Sequence, residues 1–412
     1  MKYIIFLGDG MADQPVEALG RKTPLMVADK PNMDRMARTG LAGMIRTVPH
    51  GLAPGSDTAN MSVMGYDPRL YYTGRSPLEA ISMSIDMQPG DIAFRCNLVT
   101  LSDEPDYADK TMIDYSADEI GSDEAARLIE AVNQQFANDT IRFYPGKSYR
   151  HCMIWKGGPL DGLLVPPHDI LTRKIRSHLP GGPGSESILA MMTDSAAILQ
   201  DHPVNQARRK RGLNPANSIW IWGQGSRPQL PPLAERLGLQ GSVISAVDLI
   251  YGLGICAGLH IVEVPGVTGN IHTNFKGKAA AAIAEFKRGQ DYVYLHVEAP
   301  DECGHRAEIE NKVKAIERID ADIIGPVWSW LEQNRQDTGE DFRMLVMPDH
   351  PTPLDLRTHT SDPVPFALYS SDAISSRPAA AYDESSCAAT GYFIEQGYSF
   401  FERIVRGNLQ SD

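Results

Sequence analysis

The sequence predicts an α/β protein whose core is a doubly wound, mostly parallel β-sheet, with a second α+β domain inserted into it. Continuous apolar runs that end in loops with polar chemistry are typical of parallel strands buried on both faces. These runs are residues 3–7, 218–222, 292–297 and 342–347. Helical patterns at 277–288 and 308–334 alternate with them along the chain, as expected when helices cover both faces of the sheet.

The inserted domain is expected at 91–214, with residues 1–90 and 215–412 forming the core. The inserted stretch contains loop-rich segments and a helical pattern at 117–137, and it lacks the acidic and imidazole clusters described below. One large domain with long loops is the alternative, but loops beyond about 12–15 residues are uncommon in compact domains. The basic run at 208–211 is interpreted as a solvated hinge or helix face.

Composition excludes several classes of function. The formal charge is 39 − 52 = −13, which argues against nucleic acid as a partner, although a local group of arginines could still bind a small anion. The five cysteines form no C-x-x-C pair, so a disulfide framework is not expected and a reducing compartment fits best. No apolar stretch reaches membrane-spanning length, so we expect a cytoplasmic protein without a membrane partner. A homo-oligomer stays open.

Three of the apolar runs end in loops that carry an aspartate. Asp9, Asp301 and Asp349 follow the first, third and fourth run, respectively. Ligands of such folds gather at the carboxyl ends of the strands, so we expect these carboxylates to form one site.

Imidazoles accompany these carboxylates. His305 stands four positions after Asp301, a spacing that lets both side chains bind one ion, and His350 adjoins Asp349 in a proline-restricted loop, with His359 nine residues further. Oxygen-rich ligand sets of this kind suit manganese or magnesium.

Ser56 lies in Pro-Gly-Ser-Asp, just before an apolar helical pattern. The ordinary role of such a serine is to cap the helix. Near metal ions its hydroxyl could instead act as a nucleophile, with the helix start steadying a phosphate. Three carboxylates, three imidazoles and one hydroxyl would serve two divalent cations that share this serine, which points to phosphoryl transfer.

Several short motifs, in this order along the chain, resemble those of the archaeal-type cofactor-independent phosphoglycerate mutases, members of the alkaline phosphatase superfamily. The resemblance covers nearly the whole sequence. The motifs are residues 8–11, 54–57, 65–68, 72–75, 94–98, 149–151, 222–225, 296–305 and 348–350.

The resemblance implies an alkaline-phosphatase-like core with two divalent ions, usually Mn²⁺, with Zn²⁺ and Mg²⁺ left open, and no bisphosphoglycerate cofactor. It also implies an inserted domain that closes over phosphoglycerate as a lid. Ser56 would be the nucleophile. One ion would be held by Asp9, Ser56, Asp349 and His350, and the other by Asp301, His305 and His359.

Arg75 is the first choice for a phosphate clamp, because a guanidinium matches phosphate oxygens. A surface arginine is its alternative. Further candidates for substrate binding lie in the insert, where a salt bridge or a solvated role is the alternative for each. They are Arg95, Arg150, His151, His168 and Asp169.

The predicted activity is interconversion of 3-phosphoglycerate and 2-phosphoglycerate through a phosphoserine. A homoserine-kinase-like phosphotransferase of threonine synthesis is the first alternative, although no G-x-x-x-x-G-K-[ST] loop is present. Another phosphomutase or a phosphatase of the same superfamily is the second. A non-catalytic metal-binding scaffold is disfavoured, because it would not need a serine among its ligands.

Overall fold

The computed structural model describes residues 1–372 and 376–409. The strands are β1 (Lys2–Gly8), β2 (Leu41–Ile45), β3 (Asp91–Leu101), β4 (Met112–Asp114), β5 (Ile141–Tyr144), β6 (Arg150–Lys156), β7 (Ser218–Ser226), β8 (Gly241–Ile244), β9 (His260–Val262), β10 (Tyr292–Val297), β11 (Phe342–Met347), β12 (Val364–Ser370) and β13 (Phe393–Ile394).

The α-helices are α1 (Pro24–Val27), α2 (Pro31–Thr39), α3 (Ser56–Val63), α4 (Pro68–Tyr71), α5 (Ser76–Ser82), α6 (Ser122–Phe136), α7 (Ser185–Gln200), α8 (Pro203–Lys210), α9 (Leu233–Leu237), α10 (Asp248–Cys256), α11 (Phe275–Lys287), α12 (Ala299–His305), α13 (Ile309–Arg318), α14 (Gly325–Thr338), α15 (Glu384–Ala388) and α16 (Gly397–Arg406). A π-helical turn over Ile319–Ile324 joins α13 to α14. Within the described residues, no helix combines the length and the apolar character needed to cross a membrane.

The chain forms two compact units, the first made of Met1–Tyr72 and Gln229–Asp412. Its eight-stranded sheet has the order β13-β2-β12-β11-β1-β10-β8-β9. Strand β1 runs parallel to both of its neighbours, β10 and β11, whereas β12 is antiparallel to β11 and β2. The sheet is therefore mostly parallel, which confirms the predicted α/β class.

Both faces of this sheet are covered by the unit's own helices. On one face, Ile4 and Phe6 of β1 and Val293 of β10 pack in a single core with Phe275 of α11 and Trp328 of α14. The intervening side chains of β1 and β10 are buried too, so these strands are apolar along their whole length. This double burial explains why their sequences are continuous apolar runs.

The second unit is Thr73–Pro228 and contains the stretch 91–214 predicted as an insert. Its five-stranded sheet is antiparallel: β3 pairs with β4, β6 and β7, and β6 also pairs with β5. Phe94, Leu128, Met192 and Trp220 belong to its separate hydrophobic core.

One expectation for this region is wrong, and another holds only in part. Residues 218–222 do form a strand, but β7 pairs antiparallel with β3 instead of joining the parallel sheet. The strand is a continuous apolar run because residues 219–222 are buried in the hydrophobic core of the second unit, together with residues of α7. The basic run is solvated at residues 209–211, as expected. Arg208 differs, since it is 2% exposed and its guanidinium binds Glu124 at 2.7 Å and the carbonyl of Ala117 at 2.6 Å.

Candidate functional site

The three aspartates meet at one edge of the parallel sheet. Asp9 follows β1, Asp349 follows β11, and Asp301 lies in α12, directly after β10. Because β1 lies between β10 and β11 and runs parallel to both, the carboxyl ends of all three strands meet there. The expected convergence is thus produced by strand order.

Asp301, His305 and His359 form one group, the first cluster. His305 Nε2 lies 3.2 Å from Asp301 Oδ2, and His359 Nε2 lies 3.4 Å from Asp301 Oδ1. The two Nε2 atoms are only 2.9 Å apart. Helix α12 supplies Asp301 and His305 four positions apart, so both side chains face the same way.

The other ring nitrogens of this cluster fix its tautomers. His305 Nδ1 lies 3.0 Å from the carbonyl oxygen of Arg357, and His359 Nδ1 lies 3.1 Å from that of Pro54. A carbonyl only accepts, so each Nδ1 donates its proton there, and Nε2 is the ring nitrogen that each histidine directs at Asp301. Imidazoles that bind metals are oriented in this way.

A positive charge is favoured between these atoms, as the pKa values of the cluster show. The hydrogen bond with the Asp301 carboxylate raises the pKa of His305 to about 9. Burial opposes the charged form of His359, but the hydrogen bond with Asp301 outweighs it and raises its pKa. Burial likewise opposes ionisation of Asp301, yet the two imidazoles hold its pKa well below the usual range. The cluster suits a cation.

Asp9, Ser56, Asp349 and His350 form the second cluster. His350 Nε2 lies 3.2 Å from Ser56 Oγ, 3.3 Å from Asp349 Oδ2 and 3.5 Å from Asp9 Oδ1. Ser56 is the first residue of α3, and Gly55 occupies the capping position before it. The serine hydroxyl therefore faces the acidic cluster.

Asp9 Oδ1 is a buried oxygen in need of a partner. Asp9 is fully buried, and this atom accepts no hydrogen bond from any part of the chain that the structure describes. Burial, followed by the nearby Asp349 carboxylate, raises the pKa of Asp9 well above its usual value. Two buried carboxylates next to an imidazole form a donor set that a divalent cation would satisfy.

Four polar residues that contact the clusters were not singled out from the sequence. Asn60 donates its amide protons to Asp349 Oδ2 and to the carbonyl of Ser56, both at 2.8 Å. Thr352 touches both clusters through its hydroxyl. The spacing of four between Ser56 and Asn60 on one helix could have indicated that Asn60 lies beside Ser56.

His296 and Glu298 are the other two, and they form a third group with Asp9. His296 Nε2 lies 2.8 Å from Asp9 Oδ2, while Ser245 Oγ lies 3.1 Å from His296 Nδ1. Burial raises the pKa of Glu298 to about 8, with Asp301 adding to the shift. A histidine inside the apolar run of β10 was the available signal for this contact.

Arg75 and Arg95 come together in the second unit, on the carboxylate of Glu79. Arg75 Nε lies 2.9 Å from Glu79 Oε1, and Arg95 Nε lies 3.1 Å from Oε2. Burial alone would raise the pKa of Glu79, but Arg95, Arg75 and Arg150 together hold it below its usual value. Three guanidinium groups near one carboxylate leave an excess of positive charge, which suits an anion.

The remaining candidates differ in their surroundings. His168 packs edge-on against Trp222, with ring centroids 5.4 Å apart, and Arg95 lies over the same indole at 4.5 Å. Asp169 lies 3.7 Å from His168 and is mostly exposed. His151 is buried away from solvent, and its Nδ1 accepts the backbone N–H of Gly146 at 3.0 Å.

Comparisons with known proteins agree with this geometry. A family model described as 2,3-bisphosphoglycerate-independent phosphoglycerate mutase matches residues 37–205. A Geobacter sulfurreducens protein named as a probable enzyme of this type is 49% identical over 98% of this chain and 100% of its own length. The Methanothrix thermoacetophila protein of the same name is 48% identical over 99% of this chain and 100% of its own.

A solved structure supports the fold. A protein from Pyrococcus horikoshii superposes with a TM-score of 0.79 at 25% identity, covering 100% of this chain and 98% of that one. The family predicted from the motifs is confirmed: since nearly half of its residues match those of curated relatives along almost the entire sequence, the chain belongs to the 2,3-bisphosphoglycerate-independent phosphoglycerate mutases.

Proposed function

We propose that the protein interconverts 3-phosphoglycerate and 2-phosphoglycerate through a phosphoserine at Ser56. The observation that carries this proposal is the position of Ser56 Oγ, 3.2 Å from His350 Nε2 at the first turn of α3. A hydroxyl used only for helix capping would bond to backbone N–H groups of its own helix instead. The positive end of the α3 dipole lies at this position and would favour a phosphoryl group held there.

Two divalent cations complete the proposed site. Asp9, Ser56, Asp349 and His350 would hold one of them, and Asp301, His305 and His359 would hold the other. Carboxylates mixed with imidazoles suit Mn²⁺, which we propose as the metal. When bound, the ions would lower the pKa of the serine hydroxyl and offset the negative charge of the phosphoryl oxygens.

The chain's own groups carry out the transfer. Ser56 Oγ forms a bond to phosphorus while the bond from phosphorus to the substrate oxygen breaks, which leaves phosphoserine and glycerate. The other hydroxyl of glycerate then attacks the phosphoserine and restores Ser56. One glycerate oxygen gains the proton that the other gives up, so the cycle has no net proton change. Water must be kept out meanwhile, since it would hydrolyse the phosphoserine.

The second unit is proposed to bind the anionic substrate. Arg75, Arg95 and Arg150 supply positive charge, and His168 supplies a hydrogen-bonding group beside Arg95 and Trp222. Guanidinium groups pair with carboxylate or phosphate in two-point contacts. His151 and Asp169 stay predictions from the sequence.

The test compares Ser56→Ala with Ser62→Ala, a change six residues further along the same helix. Ser62 is fully buried in α3 and lies outside both clusters. Metal-free protein is loaded with Mn²⁺ and given 3-phosphoglycerate without bisphosphoglycerate. We expect product from the wild type and from Ser62→Ala, and loss of at least about a thousandfold in rate for Ser56→Ala.

A phosphopeptide containing residue 56, found by mass spectrometry after rapid acid quenching, would support the intermediate. The proposal is wrong if the metal-loaded wild type makes no 2-phosphoglycerate. It is also wrong if Ser56→Ala keeps its turnover, or if homoserine and ATP yield O-phosphohomoserine at a higher rate than the mutase reaction.

A further inference from the structure

Thr352 lies between the two clusters and contacts both. Its hydroxyl bonds to Asp301 Oδ1 of the first cluster, and the same oxygen lies 3.3 Å from His350 Nδ1 of the second. The side chain is fully buried. One oxygen atom therefore links a ligand of each proposed ion.

The direction of these two hydrogen bonds follows from counting protons. An ionised carboxylate can only accept, so the single hydroxyl proton of Thr352 goes to Asp301. The contact with His350 must then use the ring proton on Nδ1, donated to the threonine oxygen. His350 is thereby left with a lone pair on Nε2, the atom that faces Ser56 and Asp9.

The backbone holds Thr352 firmly in this position. Its N–H donates a hydrogen bond to the carbonyl of Ala12 at 3.2 Å, and its carbonyl accepts a hydrogen bond from the ammonium of Lys312 at 2.8 Å. Two glycines give it room: a Cβ on Gly10 would lie 2.5 Å from the hydroxyl oxygen, and one on Gly304 would lie 2.5 Å from the carbonyl. Neither contact is sterically allowed, so Thr352 can occupy this position only because both neighbours are glycine.

We infer that Thr352 is a positioning residue that orients Asp301 and the His350 tautomer together, so that binding of both ions depends on one hydroxyl. The inference rests on the proposed two-ion site. It adds that a single substitution outside the two ligand sets weakens the binding of both ions. Loss of a partner that orients a metal ligand typically lowers metal affinity by about 10–100-fold.

The experiment compares Thr352→Val with Thr352→Ser. Valine has nearly the same shape but no hydroxyl, whereas serine keeps the hydroxyl and loses only the methyl group. Binding of Mn²⁺ to the metal-free proteins is measured by calorimetry and by the electron paramagnetic resonance signal of free Mn²⁺. We expect about 10–100-fold weaker binding of both ions in Thr352→Val, and wild-type affinities within about threefold in Thr352→Ser.

The outcomes separate this inference from the proposed function. A wild type that binds fewer than two ions would refute the two-ion site itself. A wild type that binds two, together with a Thr352→Val protein that keeps either affinity, would refute the inference alone. A purely structural role would lower the unfolding temperature of the metal-free variant without changing either affinity. If Thr352→Val does not fold, Thr352→Ala carries the same expectation and the same refuting result.

Discussion

Removing the buried ammonium of Lys312 should destabilise the first unit strongly. Its Nζ lies 2.7 Å from Asp13 Oδ2, and both side chains are almost fully buried. At that distance the attraction is worth about 6 kcal/mol with an effective dielectric constant of about 20. Asp13 keeps hydrogen bonds from the backbone of Gln14 and Leu354, which offset part of the loss. We therefore expect Lys312→Met to lower the free energy of unfolding by about 3–5 kcal/mol.

The pH dependence of this loss has a definite sign. Burial raises the pKa of Asp13, and the attraction of Lys312 opposes that shift. Without the lysine the folded-state pKa rises further, so the folded protein takes up a proton at a higher pH than the unfolded chain does. The destabilisation should be greatest at neutral pH and should shrink as the pH falls through the folded-state pKa of Asp13.

Urea unfolding of the metal-free protein measures this effect, and hydrogen exchange of β1 and α13 assigns the transition to the first unit. Lys276→Met is the control, because that side chain is 80% exposed and lies 3.9 Å from Asp322. It should change stability by less than about 0.5 kcal/mol. Adding Asp13→Asn to Lys312→Met should recover part of the loss. A loss below about 1 kcal/mol for Lys312→Met would refute the reasoning.

Two further predictions concern stability. Gly10→Ala should lower the free energy of unfolding by about 2–4 kcal/mol, because φ is +59° and the Cβ would collide with Thr352 and Asp301. Gly20→Ala has a similar φ of +67° but open space, so it should cost only about 1 kcal/mol; equal losses in urea titrations would contradict the steric argument. Burial lowers the pKa of His151 from 6.5 to about 3, so the unfolded chain takes up a proton first on acidification. Stability should fall below pH 6.5 by up to about 1.4 kcal/mol per pH unit, and His151→Asn, which can still accept from Gly146, should remove that part of the slope.

The parallel core could be predicted because its strands are buried on both faces. The runs at 3–7, 292–297 and 342–347 became β1, β10 and β11 with almost the expected limits. The run at 218–222 has the same apolar pattern, yet β7 is antiparallel. An apolar run predicts that a strand is buried on both faces, but it does not predict whether the neighbouring strand is parallel or antiparallel.

The aspartates and histidines were predictable because they stand at strand ends or at helical spacing. Their partners were not, since Thr352 and Asn60 are ordinary polar residues until folding places them beside His350 and Asp349. Arg208 shows the same limit in the second unit: a basic run looks solvated, and only the tertiary fold places Glu124 and two carbonyls around one guanidinium.

The hydrogen bond from His359 to the carbonyl of Pro54 has a consequence for the timing of synthesis. The two residues are 305 positions apart, and the carbonyl belongs to the turn that carries Ser56. Ribosomes add about 5–20 residues per second, so the nascent chain carries this serine for roughly 15–60 s before the imidazole that steadies its turn has been made. The turn around Ser56 therefore cannot gain this hydrogen bond until most of the polypeptide has been made.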